Sequence, residues 1–474
     1  MRATETYHPP PRPGVGVGRV RELARRRPQP GRRWLVFLLL AGYVVLLHHV
    51  YQHEVAPLFE YLNLVYRAPD PWNYGLALGM LGLVALAMPQ RIRQPSDFVL
   101  WILFVTVVTP SIVVPQYADI LPAAASLELA AVVAAVFLLV IWGARIGPSW
   151  TLRIRGVHVL DVWSIVVVLS LLTYVYMAAT AGLSFRLVGL GDVWEIRSAY
   201  RDQVAASGPV LGYLVRLQGN VLNPLLMARG LYARRWTMVL LGGVGQIPIF
   251  AATGFKLTLL SIPAILVLAL LFRWRARPRA WTILAGVVAA IVAALVADAL
   301  LDSLLYTQVF VNRMFLAPGV ATAAHVMVFD GLPKARWGYS FLRPFVDYPY
   351  DQVPDHMVGA VMFGRPETSA NASLFGDGYS NLGYGGVLIE AVVLVLLLWA
   401  VDGAARHLPL RVSAAILLVP SIALANVSVF TSILSNGFAY AIVLMACLPA
   451  VGWTRGESGR ERHSASGPAR SVPY

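Results

Sequence analysis

"RRWLVFLLLAGYVVLLHHV", residues 32–50, runs from Trp34 to Leu47 without a charged side chain. Spanning a bilayer as a helix takes roughly 20 apolar residues, and this run, with its flanks, approaches that length. "EAVVLVLLLWAVDG", residues 390–403, repeats the pattern near the other end of the chain. Where no water solvates the backbone, only helices and closed barrels satisfy every peptide group, and long continuous apolar runs select the helix. The whole chain of 474 residues is 58% hydrophobic and 13% charged, whereas soluble domains carry roughly 25% charged residues. The expected fold is therefore all-α: a polytopic membrane protein of about 12 transmembrane helices. The apolar runs place them near 34–51, 73–89, 98–117, 122–143, 159–181, 209–228, 236–253, 257–272, 280–301, 384–401, 412–432 and 436–453.

The formal net charge of +14 raises nucleic-acid binding, but the placement of the charges argues for topology instead. One alternating set of connections holds "GRR", "RIR", "ARIGPSWTLRIR", "RGLYARR", "RWRARPR", "ARHLPLR" and the tail after "WTRG". With the N-terminal tail, this set contains 27 of the 38 Lys and Arg residues. Positive connections stay cytoplasmic, so both termini are expected in the cytoplasm of a multi-pass inner-membrane protein, with anionic lipid headgroups as contacts and no nucleic-acid partner. The segments read as a basic disordered tail (1–33), nine spans (34–301) with an external loop at 182–208, an extracytoplasmic cap (302–383), three spans (384–453) and a second tail (454–474). The one cysteine, Cys447, lies in the last span and excludes an intramolecular disulfide framework. Two lysines against 36 arginines, with abundant Ala and Val, suggest a GC-rich bacterial genome.

Two external connections are long. The segment 182–208 carries Asp192, Glu195, Arg197, Arg201 and Asp202, and the cap is crowded with aromatics that disordered segments lack. No halves repeat, which weakens a transporter of twelve spans built on inverted repeats. "GVGVG" at 14–18 has no strand before it and is not a phosphate-binding loop. His49 and His53 are spaced to share a helix face, but the Glu of a metalloprotease motif is misplaced. Asp347, Asp351 and Asp355 recur every four residues, with Pro349 and Pro354 opposing a regular helix. No metal and no cofactor is expected.

Charges within spans are costly and are functional candidates by default. Arg216 lies in "GYLVRLQGNVLNPLL", Lys256 in "ATGFKLTLL", and Glu128, Asp298 and Glu390 are the acidic members. In the plainer alternative, Lys256 and Asp298 snorkel to the interface and Arg216 pairs with Glu128 or Glu390. On the expected outer side stand Arg197, Arg201, Arg216, Lys256 and Arg313, with Arg336, Arg343 and Arg365 in the cap, all against the positive-inside tendency. Guanidinium forks bind phosphate bidentately, so such a set fits a ligand with a phosphate-rich head. The plainer reading, pairing with cap acids, covers Arg336 and Arg365.

Four segments, "GDVWEIRSAYRD", "TGFKLTLL", "VNRMFLAPG" and "NASLFGDGYSNLGYGG", occur in an order that resembles O-antigen polymerases, the repeat-unit polymerases of bacterial surface polysaccharides. The resemblance covers roughly residues 160–400. It implies a membrane-embedded, GT-C-like glycosyltransferase that moves a growing glycan from polyprenyl pyrophosphate onto a lipid-linked oligosaccharide repeat unit outside the cytoplasmic membrane. It also implies a chain-length regulator and a lipid-sugar flippase as partners. Carried onto this chain, pyrophosphate binding falls to Arg197, Arg201, Lys256 and Arg313, and Arg216 joins them by position. Asp377 and Glu195 are the favoured bases within the motif segments, with Asp192 and His325 as alternatives, and Arg313 completes the catalytic set. Asn371, Tyr379 and Asn381 are expected to form a sugar-binding lip, with Gly383, Gly385 and Gly386 turning the chain into the next span. The insert at 334–368 departs from the family pattern. Rival readings are an O-antigen-ligase-like enzyme, a mannosyl- or arabinosyl-type transferase with Asp70 as its acid, and a secondary transporter.

Overall fold

The computed structural model describes residues 33–154, 159–180, 193–340 and 342–453, together with Gly182 and Phe185. The expected N-terminal tail up to residue 32, the expected C-terminal tail and Asp192 lie outside the described residues, and Arg33 already begins the first helix. The described chain is helical throughout, with two isolated backbone bridges, Tyr66–Ala118 and Arg91–Arg279, in place of any strand. We number the helices α1 (Arg33–Leu62), α2 (Pro71–Ala87), α3 (Pro95–Gln116), α4 (Ala123–Arg145), α5 (Val159–Thr180) and α6 (Val193–Ser207). There follow α7 (Pro209–Leu217, continuing through Gln218–Leu222 and Asn223–Ala233), α8 (Trp236–Thr253), α9 (Lys256–Trp274) and α10 (Ala280–Leu301). Next come α11 (Thr307–Leu316 and Ala317–Phe329), α12 (Pro354–Phe363), α13 (Leu374–Ala405), α14 (Leu410–Ala423), α15 (Val429–Ser435) and α16 (Phe438–Cys447).

Among the described residues, eight helices are long and apolar enough to cross a membrane, and nine if α15 and α16, bent by 53° across their break, count as one. The chain is thus a polytopic membrane protein. The expected span at 73–89 is a helix of equal length shifted to Pro71–Ala87, the one at 412–432 is shorter (Leu410–Ala423), and the one at 209–228 contains a π-helical turn at Gln218–Leu222.

Local chemistry sets the helix starts. Asp70 accepts a hydrogen bond from Asn73 N–H (2.9 Å) just ahead of Pro71, a side-chain cap before a proline suited to the first helical position. Gln94 and Asp97 form a reciprocal cap on α3. Ser428 caps α15 through Thr431 N–H at 3.1 Å.

The arginine-dense connections gather at one end of the bundle. There Ala280 N–H meets the Gln90 carbonyl (3.1 Å), Leu152 N–H meets that of Gly403 (2.9 Å), and Asp402 accepts from Ser96 N–H (2.8 Å). At the opposite, distal end Arg67 N–H bonds to the Tyr117 carbonyl (2.9 Å) and Asp119 N–H to that of Val65 (3.1 Å).

The stretch expected as an external cap, 302–383, divides differently. α11 starts at the distal end, where Gln308 Nε2 donates to the Glu54 carbonyl (3.3 Å). It dips into the bundle, setting Phe315 edge-on to Tyr43 at 5.9 Å, and Thr322 shares a hydrogen bond with Ser111 at 3.0 Å. It returns to the distal end, where Asp330 accepts from Tyr379 O–H (3.0 Å). Asn312, Arg313 and His325 dilute its apolar run, which hid a buried helix in the sequence. Residues 374–381 are also helical, forming the first part of α13 ahead of a break at Leu382 and Gly383, so only about 330–373 forms a surface piece. Asp298 does not simply snorkel. Its carboxylate accepts from Ser303 O–H (2.8 Å), Tyr306 N–H (3.0 Å) and Thr307 N–H (2.6 Å), closing the start of α11.

Close packing locks α11 in place. A Cβ on Gly319 would sit 2.5 Å from the Pro110 carbonyl oxygen. Gly319→Val is therefore expected to lower stability by about 1–3 kcal/mol, the usual range for overpacking, read as a lower melting temperature in detergent.

Candidate functional site

Four of the cations singled out by the sequence come together at the distal end. α6 leans on the turn between α8 and α9 through Tyr200 and Phe255, whose rings meet edge-on at 5.6 Å. Gly254 makes that turn in the left-handed region at φ 65°, and its carbonyl accepts a hydrogen bond from Arg197 Nε at 3.2 Å. Arg197 lies within electrostatic reach of Arg313 and Arg201, and Lys256 within reach of Arg313 and Arg197. Burial first, then the neighbouring guanidinium groups of Arg313 and Arg201, pull the pKa of Arg197 below its ordinary value. Arg216 joins from α7, its guanidinium 5.9 Å from the centre of the Phe255 ring. Arg313 is exposed on α11, with its charge directed toward Arg197 and Lys256.

Like charges brought together repel, and guanidinium groups do not relieve this by losing a proton. Among the described residues no carboxylate forms an ion pair with Arg197, Arg201, Arg216, Lys256 or Arg313. The cluster is electrostatically unfinished and suited to a multiply charged anion.

A second constellation lies under the surface piece, where Asp377 is 7% exposed. Its Oδ1 accepts from Tyr339 O–H (2.8 Å), and its Oδ2 accepts from Trp337 Nε1 (3.1 Å) and Asn381 Nδ2 (3.1 Å). The Glu390 carboxyl lies within electrostatic reach of Asp377. Glu390 is fully buried and takes Val429 N–H on Oε2 (2.8 Å), and among the described residues its Oε1 has no hydrogen-bond partner. His325 packs against Gly376, its Nδ1 donating to the Ala321 carbonyl (2.7 Å) and its Nε2 buried without a partner.

This arrangement corrects several expectations. Asn381 is fully buried and its amide is spent inside the protein. Nδ2 donates to the Tyr339 hydroxyl oxygen (3.2 Å) and to the Asp377 carbonyl (2.8 Å), and Oδ1 accepts from Trp337 N–H (2.6 Å). It clamps residues 337–339 onto α13 and is not free to form a sugar lip. Tyr379 bonds to Asp330 (3.0 Å), and the Lys334 ammonium lies 4.3 Å from its ring centre. Asn371 adopts the left-handed region at φ 56°, and Glu195 is exposed on α6. Glu390 partners Asp377, and Arg216 stacks on Phe255 in place of an acid. The tight turn falls at Gly383 (φ 61°) and is pressed close at Gly386, where a Cβ would lie 1.9 Å from the Gly378 carbonyl, whereas Gly385 faces open space.

Trp337 and Tyr339 were missed because "RWGYS" carries no periodic or motif signal of its own. Among the described residues no three His, Cys, Asp or Glu side chains converge as a metal site. His53 uses its Nδ1 on the His49 carbonyl (3.1 Å).

The bent pair α15/α16 lies between the two constellations. Phe430 touches Trp337 at 5.5 Å, Val429 bonds to Glu390, and Tyr440 is within electrostatic reach of Arg216. Tyr339→Phe removes one donor from a buried carboxylate and is expected to cost about 1.5–3 kcal/mol, seen as a lower unfolding temperature with unchanged helical content. No family model, curated protein or solved structure matches the chain.

Proposed function

We propose that the protein is a polysaccharide polymerase that transfers a growing glycan from polyprenyl pyrophosphate to a lipid-linked oligosaccharide repeat unit. The observation that carries this reading is the convergence of Arg197, Arg201, Lys256 and Arg313 at one end of a membrane bundle, without described carboxylate partners. A diphosphate supplies the missing negative charge, and its hydrocarbon carrier delivers it at membrane depth.

In the proposed reaction the acceptor hydroxyl oxygen attacks the anomeric carbon of the donor glycan. The bond from that carbon to the diphosphate oxygen breaks, and the lipid diphosphate leaves carrying the bonding electron pair. Cations fixed beforehand around the diphosphate stabilise the charge that develops on it. The hydroxyl proton passes to a carboxylate. Glu195 is the better placed, being exposed on the helix that bears Arg197 and Arg201. Asp377 would first have to shed Trp337 and Tyr339.

The eight long helices, with α2, α7, α14 and the α15/α16 pair taken as crossings, make twelve and return both termini to one side. On that arrangement the protein lies in a bacterial inner membrane with its cations outside the cytoplasm, beside a flippase and a chain-length regulator. The test is reconstitution of the full chain in vesicles with polyprenyl-pyrophosphate-linked repeat units. Products lengthening by whole repeat units, with release of polyprenyl pyrophosphate, are expected; unchanged substrate overturns the reading.

A further inference from the structure

Consecutive helices α1 and α2 hardly touch. α1 packs on α10, and α2 packs on α4. Between them a groove of about 480 Å³ opens, and neither the cations nor the carboxylate pair line it. We propose that this groove holds the isoprenoid tail of a long-chain polyprenyl lipid.

The groove is graded along its length. Phe37, Val45, Leu78 and Gly82 line it with apolar surface, whereas His48 and Gln52 stand at its distal end. His48 is fixed there, stacked on Tyr117 at 4.6 Å and bonded to Tyr66 O–H at 3.1 Å. An amphiphile with its head at the distal end matches this gradient.

Length selects the class of chain. From Phe37 to Gln52 a helix rises about 22 Å, while one leaflet supplies about half of a ~30 Å hydrocarbon layer. An ordinary acyl chain ends near the midplane and leaves the deeper part of the groove unfilled. A polyprenyl chain is long enough to follow it throughout. The head end also adjoins the machinery already described, since Gln308, at the start of the helix that carries Arg313, bonds to the Glu54 carbonyl at 3.3 Å. This inference rests on the proposed function for the identity of the head group, and on the groove alone for the tail.

Gly82→Trp tests it without disturbing the packing, because a Cβ there meets nothing of the chain within 4 Å. The full-length protein is placed in phosphatidylethanolamine–phosphatidylglycerol vesicles with photoreactive probes, a polyprenyl diphosphate or a palmitoyl phospholipid. The polyprenyl probe is expected to label 33–52 and 71–87, and Gly82→Trp to reduce that labelling by at least about tenfold, equivalent to 1.4 kcal/mol. Phospholipid labelling is expected to stay unchanged. Equal labelling by both probes would mean ordinary lipid contact, and cross-links between two α2 helices would mean a second copy occupies the groove; either overturns the proposal. A short farnesyl diphosphate probe separates the two readings. Its binding, sensitive to Arg313→Ala and indifferent to Gly82→Trp, supports the cation site even if the groove fails. Loss of farnesyl binding altogether, with polyprenyl labelling of the groove intact, sinks the polymerase reading and leaves the tail site standing.

Discussion

Arg313→Ala is expected to leave the polysaccharide at a single repeat unit while the protein folds and inserts normally. Removing one fixed charge that stabilises a developing oxyanion costs about 10²–10³-fold in turnover, enough to abolish chain growth over a normal synthesis time. The effect on the fold should be neutral or favourable. Arg313 has no described ion-pair partner, and its charge bears on Arg197 and Lys256, so deleting it relieves repulsion. Arg313→Lys keeps the charge but loses the planar fork and should restore short chains only. Chain length read on a polysaccharide gel, beside membrane abundance and melting temperature, separates the possibilities. Full-length polymer from a well-folded alanine variant would remove Arg313 from the site.

Asp377→Ala is expected to act in the opposite way, through structure. Its carboxylate collects hydrogen bonds from Tyr339, Trp337 and Asn381. Removing one side of a buried charged network usually costs about 3–5 kcal/mol, because the abandoned groups stay buried. The surface piece should detach, so protease cleavage within 330–373 should accelerate and the melting temperature fall. In a double-mutant cycle the losses from Asp377→Ala and Tyr339→Phe should fall short of additivity, since the second change removes a donor the first has already stranded. A stable, protease-resistant Asp377→Ala protein would contradict this role.

The two constellations differ in how far they could be read in advance. Arg197, Arg201, Lys256 and Arg313 stand out in one dimension, because a cation on the expected outer side runs against the positive-inside tendency. The Asp377 network does not. Trp337 and Tyr339 are ordinary aromatics in an aromatic-rich segment, and Asn381 looks like a ligand-facing amide in the sequence although its side chain is engaged within the protein by Tyr339, Asp377 and Trp337. The dip of α11 escaped for a related reason. Hydropathy averages over a window, and Arg313 and His325 lowered that average although both belong to a helix packed deep in the bundle.

Composition and apolar run length by themselves determined that this chain is a helical membrane protein with its arginine-dense connections at one end, because solvation of backbone and charge acts on each segment separately. Tertiary structure alone decided which charged groups meet. Arg216 turned to Phe255, Glu390 turned to Asp377, and four cations from α6, α9 and α11 drew together across the bundle. Those pairings depend on helix rotation and depth, which follow from packing between segments far apart in the chain.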